Sequence, residues 1–265
     1  MDEASAAAGS VIRIASRAND FLKLLRRLSQ DSTAYRKEER VWLEGDHLCR
    51  AALSRGWKPE VAVFSERVFG KHPELQAGKR TVVVADGLWA DLSGLESPFG
   101  MGFLMALPAP QAVAGDVATV ILDRVQDAGN VGSILRSAAA FGFSQVLALK
   151  GTAALWSPKV LRAGMGAHFG LKLIESLEIE ALELLTIPLA VTSSHQGGFL
   201  HEIALPDPCA WVMGNEGQGV GEALMAKAAF FARIAQPGGE ESLNVAAAAA
   251  VCLHASAAAG LRGAR

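Results

Sequence analysis

Two glycine-rich loops, GNEGQG (214–219) and PGGEESLN (237–244), follow the short apolar runs WVMGN and FARIA, which read as strands. Ligands in open α/β sheets bind beyond the carboxyl ends of strands, so the two loops are expected to wall one pocket. A Walker-type phosphate loop is excluded, because counting five on from Gly214 reaches Gly219 and then Val220, where a lysine is required. A dinucleotide fingerprint begun at Gly217 and Gly219 meets Glu222 where its third glycine should stand. Glycines still let the backbone approach a ligand closely. Glu216 places a carboxylate where a triphosphate would be repelled, so a ligand with a cationic or neutral reacting group fits better.

GNEGQGV, with IAQPGGEESLNVAAAAAV after it, resembles the second and third motifs of the SpoU (TrmH-like) RNA 2′-O-ribose methyltransferases of the SPOUT class. LDRVQDAGNVGSILRSAAAFG (122–142) resembles the first, and the three motifs cover most of the chain beyond residue 116. The resemblance implies an α/β protein whose C-terminal methyltransferase domain is a trefoil-knotted parallel sheet. The last helix, Asn244–Leu261, would thread a loop, and S-adenosylmethionine would bind bent in the knotted crevice. It also implies a homodimer, an RNA substrate with ribosomal RNA preferred and transfer RNA as the alternative, and no metal. The pattern from ASRANDFLKLL through VWLEGDHLCRAAL resembles the small ribosomal-protein-like α/β substrate-binding domain that precedes many such catalytic domains.

By the same resemblance Arg136 is the catalytic arginine. A guanidinium holds its proton with a pKa above about 12, so it acts as a base only where phosphate contact and pocket geometry favour proton loss. Its other role would be to position a phosphate. Asn130, Glu216, Ser242 and Asn244 are the remaining polar residues at motif positions, able to orient Arg136 and the ribose by hydrogen bonds. Ser242 could equally cap the following helix. The cofactor contacts implied are Gly214, Ile234 and Leu243, with Thr192 and Gly217 in support and Gln236 in the same loop. Ile234 and Leu243 would enclose the adenine with apolar surface. The sequence departs from the family at Ala235, where proline is usual, and at Gln236, where methionine is common.

The elements that must position these residues are legible from periodicity. VATVILDRV contains a near-continuous apolar run of the kind found in a parallel strand covered on both faces. Asp127 to Asn130 supply capping chemistry, and the helix VGSILRSAAAF ends at Gly142. Its core face is Val131, Leu135, Ala138 and Ala139; Arg136 lies off that face, as a surface arginine or as a guanidinium at the strand-end rim. SQVLALK, LKLIES, PLAVTSS and PCAWVMGN alternate with the helical stretches SPKVLRAG, EIEALELL and VGEALMAKA, the pattern of a parallel sheet wrapped by helices. Upstream, RVWLEG, WKPEVAVFS, KRTVVVADG and GMGFLMALP read as strands and DHLCRAALSRG as a helix. Phe21, Leu24, Leu25 and Leu28 fall at helical spacing opposite Lys23, Arg26 and Arg27.

A chain of 265 residues suits one to two domains, and two are expected. Residues 1–108 would bind RNA, the proline-bearing segment 109–115 would be a linker, and 116–265 would form the methyltransferase domain. The net charge of −2 advertises no global attraction to nucleic acid. Residues 13–40, however, set eight basic side chains against four acidic ones. Arg17, Lys23, Arg26, Arg27 and Arg36 are the candidates for RNA contact, with a solvated helix face as the plain alternative. Cys49, Cys209 and Cys252 show neither disulfide nor zinc spacing, and six scattered histidines share no ligand spacing. The acidic opening segment, expected to be frayed over Met1–Gly9, lacks a basic leader. The longest apolar run, Val245–Leu253, is far short of the roughly 20 residues that span a bilayer. A soluble cytoplasmic protein is expected. A non-catalytic RNA-binding or ribosome-assembly protein and a nucleotide-dependent oxidoreductase are the competing readings.

Overall fold

The computed structural model describes residues 11–94, 97–193, 195–239 and 242–263. The expected frayed start, Met1–Gly9, and Glu240 and Glu241 of the second glycine-rich loop lie outside them. Contacts divide the chain into two compact units: Met1–Pro108 with Trp156–Pro158, and Ala109–Leu155 with Lys159–Arg265.

The first unit runs β1 (Val11–Ile14), α1 (Asp20–Gln30), α2 (Ala34–Glu38), β2 (Arg40–Glu44), α3 (Asp46–Ser54), β3 (Val61–Ser65), β4 (Arg80–Val84), α4 (Asp86–Trp89) and β5 (Met101–Ala106). Its five strands form one sheet in the order β1-β4-β3-β5-β2. β1, β4 and β3 are parallel, and β5 runs antiparallel to both β3 and β2. β1 has no clear sequence signature. Its four residues VIRI form an edge strand in register with Thr81–Val84, and Val11 and Ile12 stay exposed. α1 begins at the cap Asn19, whose side chain accepts from Phe21 N at 2.9 Å. Its buried face is Leu22, Leu25, Leu28 and Ser29 rather than one led by Phe21 and Leu24. Phe21 instead lies under the Arg80 guanidinium, 5.3 Å from the ring centre.

The second unit continues with β6 (Thr119–Leu122), α5 (Ala128–Ala140), β7 (Gln145–Leu149), α6 (Pro158–Gly164), β8 (Lys172–Leu177), β9 (Leu189–Thr192), β10 (Gly198–Phe199), β11 (Ala210–Met213), α7 (Glu222–Met225), β12 (Phe230–Arg233) and α8 (Val245–Gly263). Seven strands, all parallel, take the order β10-β12-β9-β11-β6-β7-β8. β6 and β11 lie side by side in the middle, with every residue buried, as expected for strands covered on both faces. Each such Val, Ile or Leu side chain contributes about 1.5–3 kcal/mol by leaving water. EIEALELL forms a 3₁₀ helix over Ile179–Leu184 rather than an α-helix. The segment before β6 is fastened to this unit. The Gln145 side chain accepts from Ala114 N at 2.8 Å and donates to Ala114 O and Thr119 Oγ1, both at 3.0 Å. Gly115 O accepts from Thr186 N at 2.8 Å. α8 packs against α5 and β11, where Trp211 Nε1 donates to Ser256 Oγ at 2.8 Å.

Candidate active site

The carboxyl ends of β9, β11 and β12, three adjacent strands, carry Thr192, Gly214 and Ile234. Parallel pairing brings this rim about, since every strand leaves the sheet at the same edge. Thr192 Oγ1 is 3.4 Å from Val212 O. Gly214 is buried, and a Cβ there would lie 2.4 Å from both Gly219 C and Val220 N, so only glycine lets the loop close onto the strand end.

The loop after β11 is tightly wound. Asn215 N donates to Gly219 O at 3.0 Å and Gly219 N returns to Asn215 O at 2.9 Å. Asn215 Oδ1 accepts from Gly217 N and Gln218 N, each at 3.0 Å. Glu216 is thereby turned toward the start of α5. Its carboxylate accepts from Gln126 N at 3.2 Å, Asp127 N at 3.1 Å and Asn130 Nδ2 at 3.0 Å. Partial burial alone would raise the Glu216 pKa, but the Asn130 amide and the backbone N–H groups outweigh it and hold the carboxyl below its usual range. α5 is capped by Asp127, whose Oδ1 accepts from Asn130 N at 2.7 Å.

Asn130 Oδ1 in turn accepts from Asn244 Nδ2 at 3.0 Å. Asn244, not Ser242, caps α8: its Oδ1 accepts from Ala246 N at 2.9 Å and Ala247 N at 3.2 Å. The helix starts at Val245, so Ser242 stands two residues too early to cap it and lies exposed in the preceding loop. Arg136 is exposed two turns along α5 from Asn130, with no hydrogen bond or ion pair among the described residues. Leu243 is also exposed, and Ile234 and Gln236 are half-buried. Gln236 Oε1 is buried without a hydrogen-bond partner among the described residues.

In the first unit the candidate RNA-contacting cations have partners. Arg17 binds Asp91 through Nε at 2.7 Å, Arg26 approaches the same carboxylate at 4.0 Å, and Lys23 pairs with Asp20 at 2.8 Å. Arg27 pairs with Glu38, and Arg36 Nε donates to Tyr35 Oη at 3.2 Å. The four ion pairs lie at the surface and are of small individual worth.

An all-parallel α/β sheet with Glu216, Asn130 and Asn244 linked at its rim defines a chain built like the SpoU/SPOUT methyltransferases. The solved S-adenosylmethionine-bound rRNA methyltransferase from Sinorhizobium meliloti superposes with a TM-score of 0.79 at 26% identity, over 94% of this chain and 98% of that one. The model of the SpoU rRNA Methylase family matches residues 118–254, and the chain belongs to that family. It is 29% identical to the 23S rRNA (guanosine(2553)-2′-O)-methyltransferase RlmP of Bacillus subtilis, over 80% of this chain and 86% of that protein. It is 31% identical to an uncharacterized tRNA/rRNA methyltransferase of Synechocystis sp., over 92% of this chain and 93% of that protein.

Proposed function

We propose that the chain methylates a ribose 2′-hydroxyl of ribosomal RNA, with Arg136 at the reacting hydroxyl and Asn130, Glu216 and Asn244 fixing its surroundings. The enzyme class is RNA 2′-O-methyltransferase and the methyl donor is S-adenosylmethionine. The observation that carries the residue assignments is the hydrogen-bonded series Asn244–Asn130–Glu216, which joins one residue from each of the three motifs. Ribosomal RNA is favoured over transfer RNA by the 23S rRNA named for the Bacillus relative and by the Sinorhizobium structure.

The residues at the rim fit the cofactor. Gln236 Oε1 offers a buried acceptor suited to an N–H donor such as a purine amine. Leu243 and Ile234 offer apolar surface to an aromatic base, and the glycines of 214–219 admit close backbone approach. When bound, S-adenosylmethionine supplies a methyl group activated by its positively charged sulfur. The chain must then supply alignment and a destination for the hydroxyl proton. Arg136, exposed and unpaired among the described residues, serves in one of two ways: it first gives up a proton to solvent and, as the neutral guanidine, takes the hydroxyl proton as the methyl group leaves the sulfonium for the 2′-oxygen, or it stays charged and holds a neighbouring phosphate. Ser242, in the loop before the Asn244 cap, completes the polar set around the ribose.

A trefoil-knotted path for α8 and an RNA-binding role for the first unit rest on the family resemblance, and the boundary at residue 108 with a linker at 109–115 rests on the proline-bearing, uncharged stretch there. Arg17, Lys23, Arg26 and Arg27 would meet the RNA backbone by exchanging their acidic partners for phosphates, with Arg36 beside them. A homodimer is supported by Val251 and Leu261, apolar and exposed on α8. A cytoplasmic setting is supported by three free, buried cysteines. Among the described residues no helix is long and apolar enough to cross a membrane.

Two experiments test the reading. Calorimetry should detect S-adenosylmethionine and S-adenosylhomocysteine but neither ATP nor NAD; binding of NAD alone would overturn it. Mapping 2′-O-methyl groups in RNA from cells with and without the gene should show a ribosomal site lost in the deletion, and a loss confined to transfer RNA would reassign the substrate.

A further inference from the structure

The loop carrying Glu216 is hydrogen-bonded to the two residues that follow β6, Asp123 and Arg124. Asp123 is 4% exposed, so its carboxylate must be satisfied inside the protein. Arg124 follows it with φ of 54°, a left-handed conformation that is costly for a residue with a side chain. The turn folds the guanidinium back onto its own neighbour: Nε donates to Asp123 Oδ1 at 2.8 Å and Nη2 to Oδ2 at 3.0 Å. Such a two-pronged pair fixes direction as well as charge.

The pair then grips the loop at three points. Asp123 Oδ2 accepts from Gly221 N at 2.8 Å, Arg124 Nη1 donates to Gln218 Oε1 at 3.0 Å, and Arg124 O accepts from Asn215 Nδ2 at 2.8 Å. Those contacts lie on both sides of Glu216. Nor is there room to spare around the clamp, since a Cβ on Gly221 would lie 3.2 Å from Arg124 Nη2 and one on Gly151 3.0 Å from Arg124 Cγ.

We infer that Asp123 and Arg124 are positioning residues for methyl transfer, setting Glu216 against Asn130 through Asn215, Gln218 and Gly221. The inference rests on the reading that Glu216 orders the active site. A backbone strained at Arg124 and a buried carboxylate at Asp123 are features that a loop with no geometric task would not require. Neither residue touches the reacting atoms in this account; both act through Glu216.

The test is a double-mutant cycle in single-turnover transfer. It uses the full chain, S-adenosylmethionine and total ribosomal RNA from cells lacking the gene. Arg124→Ala should slow transfer roughly tenfold, in the range of coupling between contacting residues. It should also move the acid limb of the pH–rate profile upward, because a loosened Glu216 loses the donors that lower its pKa. In a Glu216→Gln background the same substitution should cost little more. Arg124→Lys should recover part of the rate, since an ammonium neutralises Asp123 but cannot match its fork. If Arg124→Ala melts well below the wild type, Gln218→Ala provides the same comparison with the Asp123–Arg124 pair intact. Equal losses in both backgrounds, or an unmoved acid limb, would overturn the inference alone. A wild-type rate in Glu216→Gln would instead overturn the role assigned to Glu216 itself.

Discussion

Asn244 Nδ2 donates to Asn130 Oδ1 at 3.0 Å, so the residue that caps α8 also reaches the first turn of α5. Asn130 spends its amide hydrogens on Glu216 and its carbonyl on Asn244, and its neighbours in the network stand 86 and 114 residues away in sequence. One side chain thus ties the first turn of α5 to the loop after β11 and to the cap of α8.

Asn244→Ala should therefore do two things at once. Losing the cap should destabilise the protein by about 1 kcal/mol, read as a lower urea midpoint. Losing the contact to Asn130 should slow transfer in protein that is still fully folded. Asn244→Asp, which keeps the capping oxygen but cannot donate to Asn130, should regain the stability and not the rate. Recovery of both by aspartate would show that the asparagine is only a cap.

His168 is fully buried, with Nε2 2.9 Å from Leu155 O. Burial pushes its pKa down to about 4, opposed by the hydrogen bond that Nε2–H donates to the Leu155 carbonyl. A folded pKa below the unfolded value near 6.5 means that the neutral ring is the form the fold accepts. Its stabilisation should be present above about pH 6.5 and be lost as pH falls toward 4. The melting temperature of His168→Gln should fall less steeply across that window than that of the wild type, and parallel curves would count against this histidine as the source.

Much of this site is legible in the sequence because its chemistry resides in residue types at fixed spacing. Asn130, Glu216 and Asn244, one from each quoted motif, are hydrogen-bonded in series, and Gly214 is glycine because the loop closes onto it. What is not legible depends on backbone angles and long-range choices. Whether Ser242 or Asn244 caps α8 turns on a two-residue difference in where the helix begins. The Asp123–Arg124 clamp needs a left-handed turn that no composition announces. β1 and the two-residue β10 exist because a neighbouring strand offers an open edge, and the buried face of α1 is Leu22, Leu25 and Leu28, with Phe21 against Arg80 instead. Tertiary contact decides each of these.

The basic helix α1 gives a prediction sharpened by its ion pairs. Lys23 and Arg27 are held by Asp20 and Glu38, so phosphate must displace those carboxylates. Replacing Lys23, Arg26 and Arg27 by glutamine together should weaken RNA binding for all sequences and flatten its salt dependence, by about one counterion per lost phosphate contact. An unchanged salt slope would return α1 to a solvated face.

For the proposed homodimer, sedimentation at roughly ten micromolar should give twice the chain mass, since an obligate interface would persist at such dilution. Replacing the exposed Val251 of α8 by glutamate should shift the protein toward monomer. A wild-type monomer at that concentration would contradict the assembly.

The role of Arg136 is the centre of the account, and single-turnover transfer at saturating RNA and S-adenosylmethionine measures it most directly. Arg136→Ala should lower the rate by roughly 10²–10⁴, the range for losing a general base, while calorimetry finds cofactor affinity nearly unchanged. The exposed side chain has no partner among the described residues, so the substitution should leave the fold intact and the comparison clean. A near-wild-type rate in Arg136→Ala would contradict the assignment.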